Sequence, residues 1–126
     1  TAYIDTSSSV TTMMAAQILA ELYSVKSMYP EVVIRLVQFD TKIHSSDTIE
    51  LASELSSFEL IGRGGTDLQC VVDDLVETKP TFAMIFSDLL VHPVNLDEVT
   101  SDLIWIIIGK RTHFNPPKGE KWNINC

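Results

Sequence analysis

Two carboxylates and three hydroxyls stand out by position: Asp5, Asp88, Ser7, Ser9 and Thr66. Asp5-Thr6-Ser7-Ser8-Ser9 follows the apolar run Ala2-Tyr3-Ile4. Thr66 closes the Gly-rich turn Gly62-Arg63-Gly64-Gly65-Thr66-Asp67, and Asp88 follows a third apolar segment that ends in Phe86-Ser87. The set offers oxygen and no soft ligand. Such a set, with few charges, suits a hard divalent cation such as Mg2+ or Mn2+; Mg2+ dehydrates reluctantly and keeps several waters. Asp5, Ser7 and Ser9 alternate in a tight loop, so their side chains can converge. Hydroxyl oxygens are neutral and leave the cation its charge, while carboxylates bind directly or through water. An incoming carboxylate can then fill the remaining position, which describes a metal-dependent binding module.

These residues need elements that carry them to one place. Ala2-Tyr3-Ile4 reads as a short strand ending at Asp5. From Thr11 to Tyr29 there is no Gly or Pro, and Met14, Ile18, Leu22, Val25 and Tyr29 recur at helical spacing, so one face of a helix is apolar. Pro30 stops it. Val32 to Phe39 is nearly continuous and β-branched, as in a strand buried on both faces. Lys42 to Glu50 alternates weakly and suits an edge strand; Ile49 to Leu60 fits strand or short helix. Leu68, Val71, Val72 and Leu75 mark a second helix ended by Lys79-Pro80. Phe82 to Phe86 and Leu103 to Ile108 are buried strands, with a loop over Val91 to Asp102 that has room for one helical turn near Leu96 to Val99. Trp122-Asn123-Ile124 offers a last short strand.

Alternating buried strands and amphipathic helices predict an α/β fold: three layers, Rossmann-like and doubly wound, around a mostly parallel sheet. Ligands bind such sheets beyond the carboxyl ends of the strands, where strand order reverses. Asp5 and Asp88 each follow a strand and Thr66 opens a helix, so all three segments can meet on one edge.

The 126 residues are expected to form one domain, with 45% hydrophobic residues to build its core. Starting at Thr1 directly on a strand, the chain is open to being the C-terminal part of a longer protein. A net charge of −8 argues against nucleic acid and anionic membrane surfaces as partners. No apolar run approaches the roughly 18 residues of a membrane span. Cys70 and Cys126 form no disulfide framework, and with no basic leader ahead of the first strand the reading is free thiols in the cytoplasm.

Asp-x-Ser-x-Ser, a distant Thr and a later Asp after a strand resemble the metal-ion-dependent adhesion site of von Willebrand factor A (VWA) domains. Ile4-Asp5-Thr6-Ser7-Ser8-Ser9, Gln38-Phe39-Asp40-Thr41, Gly62 to Asp67, and Leu103 to Ile108 before a Pro/Gly turn resemble a VWA-like family of bacteria and phages. Its members often follow a metallopeptidase-like domain. The resemblance implies that Ser7, Ser9 and Thr66 bind the metal directly, with Asp5 and Asp88 close by or linked through water. It also implies a protein partner that presents an exposed Asp or Glu. Ser8 stands where Gly is common, Ser87-Asp88-Leu89 replaces the more usual Thr-Asp-Gly, and the chain is short for a VWA domain.

Blander roles compete. Asp5 and Ser9 can cap the following helix, Thr66-Asp67 can cap the second, and Asp88 alone equally suits a turn. No Gly-Lys-Ser/Thr follows the Gly-rich turn, so a nucleotide is discounted. His44, His92 and His113 have no metal spacing and read as loop residues; Trp105 reads as core. A rival function is a retroviral-type aspartic protease. Asp5-Thr6-Ser7 resembles its Asp-Thr-Gly and Leu60-Ile61-Gly62-Arg63 its later motif, with Asp5 as half of a dimeric catalytic pair. Position 7 is Ser, however, and a helical pattern follows at once, whereas those enzymes are almost wholly β. A phosphatase with an Asp nucleophile would want a second Asp at position 7. No convincing general base or activated nucleophile accompanies the five residues, so no hydrolytic activity is expected.

Overall fold

Among the described residues two helices interrupt six strands, α/β as the apolar pattern predicts. The computed structural model describes residues 1–6, 12–50, 67–87, 95–108 and 120–124. Its elements are β1 (Ala2–Asp5), α1 (Thr12–Met28), β2 (Ile34–Phe39), β3 (Ile43–Ile49), α2 (Gln69–Thr78), β4 (Phe82–Ser87), β5 (Asp102–Ile108) and β6 (Glu120–Ile124). The six strands form one sheet in the order β3-β2-β1-β4-β5-β6. Among the described strands only the β2–β3 pair is antiparallel; the other four pairs are parallel. The chain builds outward from β1 to β3, then returns through α2 to lay β4 on the other side of β1. Strand order therefore reverses between β1 and β4.

Two apolar clusters, one on each face of the sheet, make the three layers. Ala2, Ile4, Leu36, Phe86 and Ile106 pack with Ile18 and Leu22 of α1. Tyr3, Val37, Ile85, Trp105 and Ile107 pack with Val71, Val72 and Leu75 of α2. Side chains of successive strand residues point to opposite faces, so even positions of β1 and β4 serve α1 and odd positions serve α2. All four residues of β1 are buried, which is the reason a parallel central strand reads as an unbroken apolar run.

Two expectations shift at the end of α1. The apolar stripe runs through Tyr29 in the sequence, but the helix stops at Met28 and the chain turns, with the Val32 amide on the Tyr29 carbonyl at 3.0 Å. Tyr29 is consequently half exposed, and Val32 and Val33 precede β2 as exposed residues rather than lying within it. Lys26 is buried instead: its Nζ donates to the carbonyls of Pro30 (2.7 Å) and Val32, so a cation satisfies the acceptors where the helix dipole is negative.

α2 ends at Lys79, which takes the left-handed conformation (φ 48°, ψ 53°) and donates its amide to the Leu75 carbonyl at 3.0 Å. A polar network fastens α2 to the sheet. Asp74 receives two hydrogen bonds from the Arg35 guanidinium, at 2.6 and 3.1 Å, and one from the Tyr3 hydroxyl at 2.5 Å. Arg35 Nε also donates to Ser46 Oγ at 2.8 Å, so one cluster joins α2, β1, β2 and β3.

Candidate functional site

The site is built at the carboxyl edge of the sheet, where β1, β2 and β4 end. Asp5, the last residue of β1, is fully buried. Ile4 pairs with Phe86, so the next residues, Asp5 and Ser87, are cross-strand neighbours on the α2 side. Ser87 Oγ donates to Asp5 Oδ2 at 2.5 Å. The bond spans the two strands between which the order reverses, and a buried carboxylate requires such donors.

β2 supplies the next part of the edge. The Phe39 carbonyl accepts the Thr6 amide at 2.7 Å and the Thr6 hydroxyl at 3.0 Å, which directs the chain leaving β1. The following carbonyl, that of Asp40, accepts the Asp67 amide at 2.9 Å and brings in the chain that enters α2. Asp67 Oδ1 accepts the Gln69 amide at 2.9 Å, which places a carboxylate at the positive end of α2. The N-cap position is Leu68, without a side-chain cap bond, so neither Thr66 nor Asp67 occupies it; Asp67, one residue earlier, reaches the Gln69 amide.

Of the five candidate ligands, Asp5 lies where the sequence predicts. Ser7, Ser9, Thr66 and Asp88 lie outside the described residues, as do His92, His113, Cys126 and most of Ile49 to Leu60. The residues flanking the candidate positions in sequence, Thr6, Asp67 and Ser87, are all held at this edge by the hydrogen bonds above. Among the described residues, no group of three or more His, Cys, Asp and Glu is arranged to hold a metal. The candidate set, by contrast, consists mainly of hydroxyls.

Sequence reasoning gave no role to three residues here. Ser87 is the donor to Asp5. Asp40 follows β2 as closely as Asp5 ends β1, and its buried carboxylate accepts the amides of Thr41 and Lys42. His44, which reads as a loop residue in the sequence, lies in β3 and places Nε2 2.7 Å from Asp40 Oδ1. The usable signal was an Asp at the end of a second buried strand. Cys70 is a free thiol near the same edge, with Sγ 3.2 Å from the Asp67 carbonyl. Burial, with the Asp67 carboxylate nearby, pushes its pKa up to about 11, so it stays protonated and a poor nucleophile at neutral pH.

A groove of about 500 Å³ lies elsewhere, between α2 and the 95–98 turn. Asp73, Glu77, Asp97 and Glu98 line it with Val72 and Val76. Its acidic walls would repel an acidic partner.

Two comparisons bear on this arrangement. The family model described as VWA-like domain (DUF2201) matches residues 1–125. No curated protein matches the chain.

Proposed function

The chain belongs to the VWA-like family, and from that premise we propose that it is a metal-dependent protein-binding module that grips an acidic residue of a partner. One observation carries this reading: Asp5, the first residue of Asp-x-Ser-x-Ser, is buried at the carboxyl end of β1 where strand order reverses. The donor chemistry fits Mg2+ or Mn2+. Ser7, Ser9 and Thr66 would hold the ion directly, and Asp5 and Asp88 directly or through water. When bound, the ion supplies a positive charge and an exchangeable position for an anionic oxygen.

The chain's own residues supply the rest. Burial strengthens the pull of the Asp5 carboxylate on a cation, and the Ser87 hydroxyl fixes one of its oxygens. The net charge of −8 disfavours an acidic partner when no cation is present, so binding is conditional on the metal. An α/β frame with helices on both faces suits this site rather than the nearly all-β protease alternative. Among the described residues no helix is long and apolar enough to cross a membrane. A free Cys70 agrees with a reducing compartment, and we read the protein as cytoplasmic and of bacterial or phage origin.

Calorimetric titration with Mg2+ and Mn2+, on wild type and Asp5→Ala, tests the site. Pull-downs from the native host with and without EDTA test the bridge. The expected result is saturable binding lost in Asp5→Ala, and a partner released by chelator. A partner that binds equally well in EDTA and to Asp5→Ala would refute the metal bridge.

A further inference from the structure

We propose that Asp40 and His44 form a clamp that positions the metal site, so that Asp40 is its positioning residue; this rests on the metal-binding reading above. Gln38 pairs with Ser45, but Phe39 pairs with Ile43, so His44 is an extra residue in β3, opposite no partner. Such bulges bend a strand and re-aim a side chain, and they concentrate near functional sites. Here the re-aimed side chain is His44, and it meets Asp40 Oδ1 at 2.7 Å.

Asp40 is thereby fixed from several directions. The same oxygen accepts the amides of Thr41 and Lys42, and the Asp40 amide donates to the Lys42 carbonyl at 3.0 Å. The side chain of Asp40 is only 6% exposed, so these bonds lie in a medium where they are strong. With the β2–β3 turn locked, two consecutive carbonyls are held in place. Phe39 takes the amide of Thr6, which precedes Ser7; Asp40 takes the amide of Asp67, which follows Thr66. The chain leaving β1 and the chain entering α2 are thus both tied to this one turn. Groups that orient ligands without touching the metal commonly contribute roughly 10–100-fold to its affinity.

The test compares Asp40→Ala, Asp40→Asn and His44→Ala with wild type and Asp5→Ala. Mn2+ affinity is measured by calorimetry, and backbone amide exchange is measured without metal. Asn retains an acceptor for the Thr41 and Lys42 amides, so Asp40→Asn should keep most of the affinity. Asp40→Ala should lose roughly 10–100-fold. The Thr6 and Asp67 amides should exchange faster in Asp40→Ala and His44→Ala, with the β4 and β5 amides unchanged. Equal losses in Asn and Ala would mean that Asp40 acts through charge, and would overturn the proposal. So would faster exchange throughout the sheet, or unchanged exchange at Asp67. If wild type binds Mn2+ and Asp40→Ala binds it equally, the positioning proposal alone has failed. If wild type binds no better than Asp5→Ala, the metal reading has failed and the clamp falls with it.

Discussion

Asp74 is the keystone between α2 and the sheet, and replacing it with Ala should cost about 2 kcal/mol. The substitution removes three acceptor contacts, two from Arg35 and one from Tyr3. Arg35 is 31% exposed and can be rehydrated, so its loss is small, of the order of a partly exposed pair at up to about 1 kcal/mol. Tyr3 is fully buried, and stranding its hydroxyl costs roughly 1–3 kcal/mol. Thr78 lies within reach of that hydroxyl and offsets part of the penalty, which holds the sum near 2 kcal/mol. In urea, with a slope of roughly 2 kcal/mol per M, the midpoint should fall by about 1 M with the slope unchanged.

The same substitution has a pH signature. Burial alone would raise the Asp74 carboxyl, but hydrogen bonds from Arg35 and Tyr3 and the Arg35 charge outweigh it and hold the pKa below the ordinary value. A carboxyl depressed in the folded state stabilises at pH above its unfolded pKa, and the gain is lost as pH falls through the folded one. The difference between wild type and Asp74→Ala should therefore be flat from pH 7 to about 5 and shrink below about 4. Tyr3→Phe should cost about 1 kcal/mol in the wild type but nothing, or be stabilising, in Asp74→Ala, because there it removes the hydroxyl that the loss of Asp74 strands. Equal costs of Tyr3→Phe in both backgrounds, or a difference between wild type and Asp74→Ala that does not shrink at all below about pH 4, would refute the reasoning.

Lys79→Gly should stabilise the domain by about 1 kcal/mol, since a non-glycine residue holds a left-handed conformation there, and should raise the melting temperature by a few degrees. Cys70 should react slowly with a thiol-specific disulfide reagent at pH 8 and accelerate toward pH 11, following its raised pKa; fast reaction at neutral pH would contradict that environment. Incubation of the purified domain with peptides or phosphate esters should give no cleavage; cleavage abolished by Asp5→Asn would instead make Asp5 catalytic.

Most of the frame was legible because the sheet is parallel and buried. β1, β2, β4 and β5 announce themselves as apolar runs, and β1 ends at the residue where its first ligand was expected. Boundaries moved where a turn, not hydrophobicity, decides: Val32 and Val33 are β-branched, yet the turn at Tyr29 leaves them outside β2. Lys26 was hidden for a related reason. Its burial depends on carbonyls beyond the helix end, and an apolar periodicity cannot register a buried cation. The clamp at the site was the least legible part. Strand patterns assume a strict period of two, and the extra residue at His44 breaks that period, sending a side chain where alternation does not place it. His44 then looks like one more polar residue in a weak strand, and Asp40 like one more turn Asp. Their meeting is a consequence of register, which exists only once β3 has paired with β2. A sequence can therefore display the oxygens that suit a cation while concealing the bulge that brings His44 to Asp40.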